Sequence, residues 1–175
     1  MAVHDYHFVT TWQVRAGCAE VYDVIGEPEA LARWWPSVYL EVAILEPGRA
    51  DGLGKRVGLF TKGWLPYTLR WEFVVTEVDR PRRMALRATG DFDGSGVWTF
   101  AQRGEQVEIT YDWRIRANKP LLKVLSPLLK PLFAANHRWA MERGLESLVL
   151  ELERRHAKSE AERRAIPPPP RATFR

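Results

Sequence analysis

The chain has 175 residues, 46% of them apolar and eight of them tryptophan, which excludes a disordered polypeptide and allows one domain with a real core. Its net charge of +4 belongs to its end: from Arg154 onward seven basic residues oppose two acidic ones, which leaves residues 1–153 at −1 and argues against a nucleic-acid groove on the body. Cys18 is the only cysteine, which excludes an intrachain disulfide and a thiolate zinc site. The first dozen residues lack the pattern of a signal peptide, and no apolar run reaches the roughly 18 residues of a membrane span, so a cytoplasmic protein is expected.

In chain order, YHFVTTWQV (6–14) alternates, with Tyr6, Phe8, Thr10, Trp12 and Val14 on one face, and reads as a strand with an apolar inner side. AGCAEVYDVIGEPEALARWW then changes period. Val21, Val24 and Ile25 take helical spacing, and Gly26 with Pro28 divides two short helices, 18–25 and 28–34. Strand patterns follow at 38–46, 55–62, 66–79, 82–92, 95–103 and 106–117, separated by PGRADGLG, KGWLP, DRPRR, GDFDGSG and RGEQ. A long helical stretch comes last and ends near His156, with His137, Met141, Gly144, Leu145, Leu148 and Leu152 on one stripe. Strands joined by short turns make an antiparallel sheet, and a single long helix after them must cover one of its faces. Residues 1–156 therefore form the domain, and 157–175, charged and then Pro-rich, form an extended tail or docking peptide.

The segment KPLLKVLSPLLKPLF (119–133) holds eight large apolar side chains broken by three prolines. Pro120 and Pro127 each suit the first position of a helix and Ser126 a cap, so 119–135 reads as two short helical turns with a further kink at Pro131. Such pieces need a surface to pack on. A mobile lid over a ligand cavity fits them; so do transient membrane contact through the flanking Lys119, Lys123 and Lys130, and a homodimer surface, so monomer and homodimer both stay open.

This order of elements resembles the START-like superfamily, the polyketide cyclase/dehydrase and lipid-transport family. The resemblance rests on CAEVYDVIGEPEALARWWPSV, the strand block through GDFDGSGVWTF and YDWRI, and the helix NHRWAMERGLESLVLEL. It implies an α+β helix-grip fold: a seven-stranded antiparallel sheet curled around the long C-terminal helix, with two short helices after the first strand and a cavity between sheet and helix. Given that cavity, alternation turns Phe8, Trp12, Leu69, Trp71, Phe73, Trp98, Phe100 and Trp113 toward it. Leu129, Phe133, Met141 and Leu145 face it from the helix side. Trp34, Trp35, Trp64 and Tyr67 sit on loops that rim it, as gates or as an exposed patch. Indoles with few charges suit an apolar or aromatic ligand.

No metal motif, nucleophile elbow or cofactor fingerprint occurs, so no metal and no cofactor are expected. Asp91 and Asp93 in GDFDGSG read as turn chemistry. Cys18 at a helix start is either a small cap or a thiol activated by the helix dipole. His137, Tyr111 and Tyr67 are the acid–base candidates; Arg70 has the opposite parity to Leu69 and Trp71. Asn136 lies about 100° around the helix from His137, so the two are not expected to point inward equally. The function expected is binding, and with it transport or sequestration, of a hydrophobic small molecule such as a lipid or aromatic polyketide. The alternatives are a polyketide cyclase, aromatase or dehydratase using His137, and a protein-interaction role of the tail.

Overall fold

The computed structural model describes residues 5–173, with the side chains of 121–129 outside the described set. Strand β1 (Asp5–Arg15) is followed by α1 (Cys18–Ile25), a 3-10 turn (Pro28–Ala30) and α2 (Leu31–Trp34). Strands β2 (Tyr39–Glu46), β3 (Arg56–Lys62), β4 (Thr68–Asp79), β5 (Arg83–Gly90), β6 (Phe92–Arg103) and β7 (Gln106–Ala117) come next, then α3 (Pro120–His156) and a short α4 (Glu160–Ala165).

The seven strands form one antiparallel sheet in the order β1-β7-β6-β5-β4-β3-β2. Strands β2 to β7 are a meander, in which each neighbour in sequence is a neighbour in space. Helices α1 and α2 carry the chain from β1, at one edge, to β2, at the other. The alternation read in β1 holds: Tyr6, Trp12 and Val14 are buried while His7, Val9, Thr11 and Gln13 are exposed. Trp12 pairs across the ladder with Ile109, and Phe8 with Trp113, so the apolar faces of β1 and β7 coincide. Helix α3 crosses the concave face, where Met141, Leu148 and Leu152 enter the main core.

Three expectations change. Helix α3 runs unbroken through Pro127 and Pro131, where two short turns and a kink were expected. Pro120 stands at the helix start, where its missing N–H costs nothing, and each later proline removes one internal bond and crowds the carbonyl four residues back, a local cost within a 37-residue helix. GDFDGSG is not a loop: the chain bends at Gly90 and Asp91, and β6 already begins at Phe92. Gly94 and Gly96 serve close approach instead of a turn, because a Cβ on Gly94 would overlap the Arg114 carbonyl and one on Gly96 would lie 2.7 Å from the Tyr111 hydroxyl. Asp91 acts as a junction: its carboxylate accepts from Arg70 N (2.8 Å), and its carbonyl accepts from Asn118 N and Lys119 N at the start of α3. Third, the buried stripe of α3 is wider than its apolar residues, taking in Asn136, Ser147 and Glu151.

Glu151 fastens α2 to α3. Its carboxylate, 3% exposed, accepts two 2.8 Å bonds from the Arg33 guanidinium and one of 3.1 Å from Arg155. Burial alone would push its pKa up, but the Arg33 and Arg155 bonds outweigh this and hold it below the usual carboxylate range.

After α4, whose Ser159 cap accepts from Glu162 N, the chain turns back on the body. Arg154 donates to the Pro167 carbonyl, and Pro168, Pro169, Arg171 and Ala172 lie along an outer groove beside Pro36, Leu40, Phe60 and Tyr67.

Candidate ligand cavity

Between the concave face of the sheet and the N-terminal half of α3 lies a cavity of about 160 Å³. Its sheet side is aromatic because alternation puts every second residue of four strands there: Phe8 on β1, Leu69 and Trp71 on β4, Trp98 on β6, and Tyr111 and Trp113 on β7. The rings are ordered by stacking. Tyr111 lies parallel to Trp98 (4.0 Å between centroids, 15°) and to Trp113 (5.5 Å, 20°), and Gly96 leaves room for its hydroxyl. Helix α3 closes the other side with Phe133, Asn136, His137 and Met141.

His137 and Asn136 both line the cavity, contrary to the expectation from their 100° separation. Two different walls flank α3 there. The His137 imidazole stacks on Phe8 of β1 (4.2 Å, 15°), while Asn136 faces the β3–β4 loop. Asn136 Oδ1 accepts from Leu65 N (3.1 Å) and its Nδ2 donates to the Tyr67 hydroxyl (3.4 Å). A Cβ on Gly63 would overlap the Asn136 amide, so the glycine of GWLPY admits this clamp. Asn136 was the polar site residue missed as such; its signal was the glycine facing it, which only tertiary contact reveals.

The cavity carries little charge of its own. Burial lowers the His137 pKa to about 4, so the imidazole is neutral near pH 7. Its Nε2 is buried and has no hydrogen-bond partner among the described residues. Burial, and then the nearby Tyr6, push the Tyr67 phenol up to about 12, against the opposing Asn136 bond. Burial also raises Tyr111 and Tyr39 well above the ordinary tyrosine range. These groups meet a ligand as neutral hydrogen-bonding partners. Lys62 stands at the rim, where it lines both the cavity and the outer groove under the tail.

Several expected lining residues lie elsewhere. Trp12 is core, packed behind the wall on Trp35 (5.7 Å) and Trp98 (5.6 Å). Phe100 sits under α1 against Tyr22 (5.3 Å), and Leu145, one turn beyond Met141, packs into the main core. Phe73 lines a second, smaller cavity instead. Trp64 is half-buried and outside the lining, because its neighbour Leu65 is the residue turned inward and held by Asn136. Trp34 is neither gate nor patch: at 1% exposed it is core, since α2 is pinned to α3 by Arg33 and Glu151. Trp35, 4% exposed, lines the cavity from inside. Leu129 falls within 121–129, outside the described side chains. Arg70 faces outward over the Phe60 ring (4.1 Å). Burial raises the Cys18 thiol, so the helix start does not activate it, and its Sγ donates to the Pro81 carbonyl (3.3 Å). Among the described residues no cluster of metal-ligating side chains gathers, and no helix is long and apolar enough to cross a membrane.

Residues 6–153 match the family described as polyketide cyclase / dehydrase and lipid transport. The chain belongs to this family. Among solved structures, the Zhui aromatase/cyclase from Streptomyces sp. R1128 superposes with a TM-score of 0.69 at 21% identity, over 90% of this chain and 99% of that one. A protein from Thermus thermophilus gives 0.68 at 20% identity, over 84% and 99%. A START superfamily protein from Mycobacterium smegmatis gives 0.62 at 16% identity, over 81% and 98%. At these identities the likeness is one of fold. No curated protein matches the sequence.

Proposed function

We propose that this family member binds a compact, neutral, hydrophobic small molecule with an aromatic or alicyclic body, and holds it between sheet and α3. The observation that carries the reading is the stacked aromatic wall opposite a buried, unpartnered His137 Nε2. Apolar walls give affinity through area removed from water, and one or two neutral polar groups orient the guest. The volume bears on its size: a cavity of about 150 Å³ is what holds a benzene ring. At about 160 Å³ the cavity favours a single-ring body over a lipid chain or a folded polyketide.

A second reading, acid–base catalysis of the cyclase or dehydratase kind, is favoured by the same Nε2. In the tautomer that carries its proton on Nδ1, the neutral imidazole has a free Nε2 lone pair that can take a proton from a bound carbonyl compound, and the Tyr67 and Tyr111 hydroxyls can donate to its oxygen. Native mass spectrometry of the purified protein, followed by solvent extraction, tests the first reading. A co-purifying aromatic or alicyclic compound is the expected result. A clean apo mass, with no melting shift across a panel of such compounds, overturns it. His137→Gln separates the two readings: a binder keeps most of its affinity, whereas a catalyst loses turnover by about 10²-fold or more.

A further inference from the structure

A second apolar cavity of about 110 Å³ lies behind the first, toward α1 and the β2–β3 loop. Five side chains line both: Trp35, Tyr39, Trp71, Trp98 and Tyr111. They are the partition between the two spaces. We propose that Trp35 is the specificity-determining residue of this partition: while its indole stands in place the second cavity is closed and the site selects a compact guest, and with the indole displaced the far end of a multi-ring ligand can enter.

Trp35 differs from the other four in belonging to no strand, and its indole is held by ring contacts alone, with Trp12 (5.7 Å), Trp34 (5.5 Å) and Tyr39 (5.2 Å). Tyr39, Trp71, Trp98 and Tyr111 all belong to strands of the sheet. Trp71 donates its indole N–H to Thr61 Oγ1 (3.0 Å), and Tyr111 is clamped between Trp98 and Trp113. Trp35 sits outside the sheet, on the residue that ends α2. Its Nε1 is buried with no hydrogen-bond partner among the described residues, so its displacement breaks no polar contact there. Its six-membered ring rests on Gly144 of α3, where any Cβ would overlap it. A glycine in the middle of a long helix is unfavourable in itself, and here it makes the seat for this one ring. With the indole removed the two spaces, of about 160 and 110 Å³, would join through the room it vacates, which brings them to the lower end of ordinary ligand pockets, about 300 Å³.

This inference rests on the ligand-cavity reading, and a graded series distinguishes its failure from the failure of that reading. Phenol, 2-naphthol and 2-anthrol share one hydroxyl and differ in ring count; their binding to wild type and Trp35→Ala is followed by calorimetry, with circular dichroism confirming the fold. Wild type is expected to bind 2-anthrol at least tenfold more weakly than 2-naphthol. The ratio of 2-anthrol affinity to phenol affinity is expected to be at least tenfold higher in Trp35→Ala than in wild type. If Trp35→Ala does not fold, Trp35→Leu carries the same comparison. An identical size profile in wild type and a folded variant overturns the partition while the cavity reading stands. Binding of none of the three to either protein overturns the cavity reading and this inference with it.

Discussion

Lowering the pH from 7 to 5 is expected to cost the wild-type protein about 2 kcal/mol of folding stability that a His137→Gln variant does not lose. Burial of the imidazole against Phe8 holds its native pKa at about 4, whereas the unfolded chain titrates near the ordinary value of about 6.5. As the pH falls through that value the unfolded state takes up the proton and the native state does not. Stability therefore declines from there and stops declining once the native imidazole is itself charged, below its native pKa. The whole gap of roughly 2.5 pKa units corresponds to about 3 kcal/mol, of which about 2 falls between pH 7 and 5. For a chain of this size, 2 kcal/mol is roughly 4–8 °C in Tm. The assay is thermal unfolding of both proteins at pH 7, 6 and 5 at constant ionic strength. His7 beside Asp112 and His156 beside Glu20 are present in both proteins and cancel in the difference. Curves that stay parallel, or a wild type that gains on the variant as the pH falls, would refute the buried, neutral His137.

Asn136→Leu keeps the branched heavy-atom shape but removes both the acceptor for the buried Leu65 N–H and the donor to Tyr67, so a loss of about 1–3 kcal/mol is expected. Faster amide exchange is expected to concentrate at residues 63–67; hydrogen exchange that rises uniformly, or not at all, counts against the clamp. Glu151→Gln is expected to cost about 2–3 kcal/mol, less than a fully buried pair because Arg33 is more than half exposed. Since the Glu151 carboxyl is held below its ordinary range, its contribution is present above the ordinary glutamate range and fades in acid. Denaturant midpoints of variant and wild type should accordingly separate at pH 7 and converge toward pH 3.

Local periodicity was enough to read the elements and the sheet. Alternation in 6–14 and in the strand patterns after residue 38 placed the aromatic inner faces, because the side-chain period of a strand is a property of the backbone. The stripe from His137 to Leu152 likewise marked the buried face of α3. What failed was whatever depended on the partner across the gap. GDFDGSG carries turn residues, but Gly94 and Gly96 are small because β7 presses on them. The prolines of 119–133 signal breaks, yet α3 continues through Pro127 and Pro131. Trp34 and Trp35, adjacent in a loop-like WWPSV, are both buried because Arg33 and Glu151 pull α2 onto α3.

The sequence by itself determined the strand and helix order, the inner-face parity and the aromatic character of the cavity, all of which follow from spacing along one chain. Tertiary structure decided which aromatics line the cavity and which are core, how Asn136 and His137 share it, and that five rings divide it in two. Those outcomes depend on contacts between residues far apart in the chain, such as Gly63 with Asn136 and Gly144 with Trp35, and no local period encodes them.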